Sequence, residues 1–212
     1  MKNEIVTYGK GYILNQGIST IVKSANKINA KITVISDLLD SSVINFVKEN
    51  NGNIFPTSNF SKFNVESSLS PYTLKVIYFY LYIKNFSNAE NVYLCDLTDV
   101  YFQKNIFDII KNDKVYVSSE NKQIKDCDVN TAWMNICYNA ETFEKYKDSD
   151  IINGGSILGK RESCINLLKE MCTDMQGIIS RVGNYANIDQ ASLTKTVHSL
   201  KKYNILWNYF IK

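Results

Sequence analysis

Arginine is almost missing from this chain: among 24 basic residues only Arg161 and Arg181 carry a guanidinium. The bidentate forks that read phosphates and guanine edges are therefore nearly absent. With a net charge of only +3, nucleic acid is excluded as the expected partner. Proline occurs twice and no Ser/Gly tract or charge run interrupts the chain, so 212 residues without a linker read as one domain. No stretch approaches the roughly 20 consecutive apolar residues of a membrane span. The N-terminus, MKNEIVTYGKGY, enters a strand at once and lacks the apolar run of a signal peptide. Cysteine is odd in number (Cys95, Cys127, Cys137, Cys164, Cys172) and never paired as CxxC, which argues against a disulfide framework or structural zinc. Buried thiols in a reducing cytoplasm are the expectation. The abundance of Asn, Lys, Ile and Tyr suggests an AT-rich coding sequence as much as any property of the fold; a bacterial protein is the expectation, and association with a membrane surface stays open.

What is present is an alternation of strand-like and helix-like segments. EIVTY (4–8), ITVIS (32–36), 53–56, NVYLC (91–95) and KVYVS (114–118) have strand composition. Between them, 17–27 carries Ile18, Ile21, Val22 and Ala25 near helical spacing, and 42–50 carries Val43, Phe46 and Val47 on one face. Pro71 to Asn85 opens on Ser-Pro, a helix start, and its run VIYFYLYI is apolar on all sides, so it reads as a buried helix. Such alternation predicts an α/β fold of Rossmann type, a mostly parallel sheet flanked by helices.

In a sheet of that kind ligands bind at the C-terminal edge of the strands. NVYLCDLTDVYFQ drives a hydrophobic strand onto Asp96 and Asp99 with no Lys or Arg between them. Asp37 ends ITVIS, and the first strand ends in Thr7, Tyr8 and Gly9, followed by Gly11 and Tyr12, so all should reach one rim. A D-x-x-D pair also suits a plain turn, where Asp bonds its own backbone. Two carboxylates held together at a strand end repel unless a cation lies between them, and Mn²⁺ or Mg²⁺ with substrate phosphates answers that.

At these residues a resemblance becomes visible. YLCDLTDVYFQKNIF resembles the strand-plus-acid motif of GT-A-fold glycosyltransferases, near glycosyltransferase family 8. EIVTYGKGY is similar to the family's first strand and nucleotide loop, IINGGSILGKRESCINLLKEM to its N-(A/G)-G-x-x-(L/I)-G block, and NIDQASL to its D-Q block. The four stretches keep the family's order over residues 4 to about 195. The resemblance implies a single GT-A-like domain, with a nucleotide-binding part at about 1–103 and an acceptor-side part at about 104–212. It implies transfer of a sugar from a nucleotide-sugar donor, UDP-linked, to a glycan or other hydroxyl acceptor with Mn²⁺ or Mg²⁺. Asp96 and Asp99 match the metal and diphosphate acids; Thr7, Tyr8 and Asp37 the base and ribose site. Asn153, Gly154 and Gly155 match the loop along the donor sugar, and Asp189 with Gln190 the acid–amide pair beside the reacting carbon. Many relatives carry an Arg on the helix before the acids; this chain has none there, and Lys75 is the nearest basic candidate. Glu120 and Trp133 fall on the acceptor side. By analogy with the family the anomeric configuration would be retained.

The chain departs from that pattern in lacking the family's H-x-x-G-like third metal ligand: its only histidine, His198, sits in the helix-like ASLTKTVHSLKK, where a polar helix-face role suits it. Ile165, Leu168, Met171, Cys172 and Met175 form a core stripe ended by Gly177. Trp133 suits core filling as well as acceptor contact, the tyrosine-rich helix suits burial, and Asp189 could simply cap a helix. A sugar nucleotidyltransferase and a catalytically inactive glycan- or nucleotide-binding module remain alternatives, although GKGYILNQG lacks the density of a nucleotidyltransferase phosphate loop.

Overall fold

Residues Asn3–Gly9 form β1, whose side chains are buried on both faces, as a central parallel strand requires. The computed structural model describes residues 2–10, 13–37, 40–184, 187–200 and 204–207; at 13–17 and 204–207 only the backbone is described. After β1 come α1 (Ile13–Lys27), β2 (Lys31–Ser36), α2 (Ser41–Glu49), β3 (Gly52–Pro56), α3 (Pro71–Asn85) and β4 (Asn91–Asp96). The second half holds β5 (Tyr116–Gln123), α4 (Asp128–Cys137), α5 (Ala140–Tyr146), β6 (Asp150–Lys160), α6 (Arg161–Val182), α7 (Ile188–Leu200) and β7 (Asn204–Trp207).

All seven strands join one sheet in the order β3-β2-β1-β4-β6-β5-β7. The pairs β1–β2, β1–β4, β2–β3 and β5–β7 are parallel; β6 alone runs against its neighbours β4 and β5. The expected mostly parallel α/β sheet is thus present, with one reversed strand. Helices cover both faces. One core packs Val6, Tyr8, Leu94 and Ile157 under α3, α6 and α7; the other packs Ile5, Val34, Tyr93 and Leu158 under α1 and α2.

Local chemistry explains the helix starts. Asp40 caps α2, its Oδ1 accepting from Ser42 N at 2.9 Å and Val43 N at 3.2 Å. Ser70 Oγ accepts from Thr73 N at 3.2 Å and Pro71 opens α3, as Ser-Pro suggested. Tyr78 and Tyr82 of α3 are buried, whereas Tyr72 is exposed.

Several expected boundaries move, among them the start of the helix read over 17–27, which lies at Ile13. The fifth strand runs over 116–123 rather than 114–118. Gly177 does not stop α6, which continues to Val182 and ends at Gly183, where φ is +81°. Ile178 is fully buried one residue beyond Gly177, and burying it outweighs the roughly 1 kcal/mol a helical glycine costs. No disulfide joins the five cysteines, and burial pushes the Cys137 and Cys172 thiols up to about 12. Among the described residues no helix is long and apolar enough to cross a membrane.

Candidate functional site

Register places the candidate residues of the first half on adjacent strand ends. Tyr8 pairs directly with Asp96 across β1–β4, and Gly9 with Ser36, the residue before Asp37, across β1–β2. These chain ends therefore lie about one strand spacing, roughly 4.8 Å, apart. The Tyr8 ring packs on Tyr78 of α3, centroids 5.4 Å apart. Burial raises the Tyr8 hydroxyl well above its ordinary range, with Tyr78 and the exposed Asp37 adding to it. Burial also raises Tyr78, again with Asp37 adding to it. Both phenols therefore stay protonated donors at neutral pH. Thr7 differs from the expectation of a shared binding wall. It alternates with Tyr8 and points to the opposite, α1-covered face, fully buried, its Oγ1 without a hydrogen-bond partner. Gly11 and Tyr12 lie outside the described residues.

Asp96 is not an unpaired acid. Lys75 Nζ lies 2.9 Å from its Oδ1, 3.3 Å from Asp189 Oδ2 and 3.2 Å from the Gly154 carbonyl oxygen. The lysine comes from the buried face of α3, 21 residues upstream, which is why no cation near Asp96 in the chain announced it. Burial alone would pull Lys75 down; the Asp189 and Asp96 carboxylates more than reverse this and leave it above the ordinary lysine value. Asp189 is the second residue of α7 and its side chain is only 5% exposed. Its Oδ2 pairs with Lys75, and as the second helical residue Asp189 is not itself the N-cap that the sequence also allowed.

Asn153, Gly154 and Gly155 lie inside β6, not in a loop. β6 advances from Ile152 to Ile157 while its partner β5 spans only Ser119 to Val117, so the intervening residues bulge out of the ladder. The bulge is pinned on all sides. Asn153 Oδ1 accepts from Gly155 N at 2.9 Å, and Gln190 Oε1 from Gly154 N at 3.2 Å. Gln190 Nε2 donates to Glu120 Oε1 and Asn130 Oδ1, both at 3.1 Å, and Asn153 Nδ2 reaches Glu120 at 3.4 Å.

The two glycines differ in what they tolerate. A Cβ on Gly155 would stand 2.4 Å from Asp96 Oδ2, whereas on Gly154 its nearest neighbours are at 3.5 Å, ordinary contact. Gly155→Ala should therefore displace the Asp96 carboxylate and cost about 1–3 kcal/mol. Gly154→Ala should leave stability within about 1 kcal/mol of wild type. Thermal melts of both decide it, and equal losses would mean that Gly155 does not seat Asp96.

Of the acceptor-side candidates, Glu120 enters this cluster. Trp133 does not: it is half-buried against the core, the plainer of its two expected roles. His198 donates from Nε2 to the Asp150 carbonyl at 2.8 Å, the helix-face role. Asp99 is exposed just beyond β4. Asn130 was not a candidate, though it is buried and bonds Gln190 directly. It stands between Asp128 and Thr131 in the first turns of α4, and no local signal in CDVNTAW set it apart from them. Among the described residues no group of three or more His, Cys, Asp and Glu side chains is placed to hold a metal ion. No protein-family model matches this chain, and no curated protein is significantly similar to it.

Proposed function

We propose that this protein is a glycosyltransferase of GT-A type that moves a sugar from a nucleotide-sugar donor, UDP-linked, to an acceptor hydroxyl with the help of a divalent metal. The observation that carries this reading is the convergence at one sheet edge of Tyr8, Asp37 and Asp96 with the Lys75–Asp189–Gly154 cluster. The aromatic pair Tyr8–Tyr78 suits a base, and the glycine bulge suits the close approach of a sugar.

Charge supports a metal. Among the described residues, Asp37, Asp96, Asp99, Glu120 and Asp189 are carried to this edge against Lys10 and Lys75, which pairs with Asp96 and Asp189. A diphosphate would be repelled by such a rim without an added cation. Asp96 and Asp99 would hold the ion; among the described residues no set of three His, Cys, Asp or Glu side chains is placed to do so, so waters and substrate phosphates would have to complete the coordination of a hard ion. When bound, the metal would neutralise the departing diphosphate. The chain's own residues do the rest. Lys75 holds the Asp189 carboxylate and the Gly154 carbonyl in place, and in that pair Asp189 would face a sugar carbon becoming cationic only as the partner of Lys75.

A screen of nucleotide sugars with Mn²⁺, read by release of nucleoside diphosphate, tests the reading. Preference for a nucleoside triphosphate would favour a nucleotidyltransferase. Metal-dependent UDP binding without turnover would favour an inactive module. Asp99→Ala should abolish Mn²⁺-dependent UDP binding in a calorimetric titration. Because Asp99 is exposed, its stability should stay within about 0.5 kcal/mol of wild type. Retained binding with a lowered melting temperature would make Asp99 a structural turn residue.

A further inference from the structure

The Gln190 side chain has both of its ends committed. Its two Nε2 protons face Glu120 Oε1 and Asn130 Oδ1, and its Oε1 accepts from Gly154 N. A carboxamide turned over would set its oxygen against a carboxylate and an amide oxygen, and would point its NH₂ at the Gly154 N–H. Only one orientation satisfies all partners. Asn130 is oriented in the same way, because its own Nδ2 donates to Cys127 Sγ at 3.4 Å, leaving Oδ1 for Gln190. Polarity is thus fixed along one chain, Cys127 to Asn130 to Gln190 to Gly154. At its end the Gly154 peptide is held twice, its N–H by Gln190 and its carbonyl by Lys75.

We propose that Asn130 is a positioning residue: by taking one Nε2 proton it turns the Gln190 oxygen onto the Gly154 amide and fixes the β6 bulge against which the donor sugar lies. Gln190 then acts through the backbone of the bulge rather than by presenting a free amide to the reacting carbon. The inference rests on the reading of this rim as a donor site, but its structural half can be measured without turnover. Asn130→Leu removes the acceptor at similar volume; Asn130→Asp keeps it, and an acid in the first turn of α4 suits the helix dipole.

Backbone amide exchange of Gly154 should rise by about tenfold or more in Asn130→Leu and return close to wild type in Asn130→Asp. Turnover of the donor found by the nucleotide-sugar screen should fall roughly ten- to a hundredfold in the leucine variant, since displaced reacting groups lose rate steeply. Its Mn²⁺–UDP affinity should stay within about twofold, because those contacts lie at Asp96 and Asp99. A leucine variant with wild-type Gly154 exchange, or an aspartate variant as impaired as the leucine, overturns the proposal. Should the leucine variant fail to fold, the Gln190 side-chain amide protons of the wild-type protein decide: they must be slow to exchange, and exchange as fast as in a free glutamine amide overturns it. Absence of turnover on every donor in the wild type would sink the donor-site reading, while Gly154 exchange still judges Asn130.

Discussion

Lys75→Met should lower the stability of the protein by about 3–5 kcal/mol, the usual result of breaking a buried ion pair from one side. For a chain of this length that is a fall in melting temperature of roughly 6–20 °C. The cause is Asp189, whose side chain is 5% exposed and would be left without its cation. Asp96 would suffer less, since its side chain is 42% exposed and water can solvate it. Asp189→Asn alone should cost less than Lys75→Met, because Lys75 keeps Asp96 and the Gly154 carbonyl. The double variant Lys75→Met/Asp189→Asn should recover part of the loss, a coupling of about 0.5–3 kcal/mol. Purely additive losses in that cycle would show that the two charges do not hold each other.

The pH dependence has a definite sign. Lys75 stands above the ordinary lysine value in the folded protein, by the attraction of Asp189 and Asp96 against the opposing effect of burial. A cation raised on folding contributes its full stabilisation below the unfolded pKa, about 10.4. That contribution is lost as pH rises through the folded value. Between pH 7 and 10 the Lys75 contribution to the melting temperature should be flat, and the gap between wild type and Lys75→Met should narrow only above pH 10.5.

Glu4→Leu is the second substitution with a large expected effect, at the other end of β1. Glu4 is buried, and its carboxylate accepts from Thr33 Oγ1 at 2.7 Å, Tyr82 OH at 2.8 Å and Ser87 Oγ at 2.5 Å. Lys31 Nζ stands 3.7 Å away. One acid thus ties β1, β2, α3 and the segment leading into β4. Leucine fills the volume but removes the shared acceptor; Tyr82 OH can still donate to Thr33 Oγ1 at 3.2 Å, while the Thr33 and Ser87 hydroxyls lose theirs at about 1–3 kcal/mol each. A loss of at least about 2 kcal/mol, or roughly 4–8 °C, should follow. Glu4→Gln keeps an acceptor and should cost less. Both variants, where folded, should bind UDP with Mn²⁺ like wild type, because Glu4 lies four residues from Tyr8 along the strand. A loss confined to UDP binding would contradict the purely structural role.

How far the chain itself announced these features depends on the range of the interactions. The strands of the first half and α3 were legible because their signals are local: apolar runs bounded by turn residues, and Ser70-Pro71 at a helix start. The position of Asp37 and Asp96 on one edge was legible too, since parallel strands end at the same side of a sheet and register then brings Tyr8 opposite Asp96. The direction of β6 was not: nothing local distinguishes a strand that runs up a sheet from one that runs down. Its glycines read as a loop because the bulge exists only against β5.

Sequence alone therefore determined the α/β class, the buried character of the strands and the edge that carries the acids, all properties of segments a few residues long. Tertiary structure decided which charges meet. Lys75 reaches Asp96 across 21 positions and Gly154 across 79, and Gln190 reaches Glu120 across 70. An ammonium group or a carboxamide bonds whatever the fold sets within about 3 Å of it, and no periodicity along the chain records that partner.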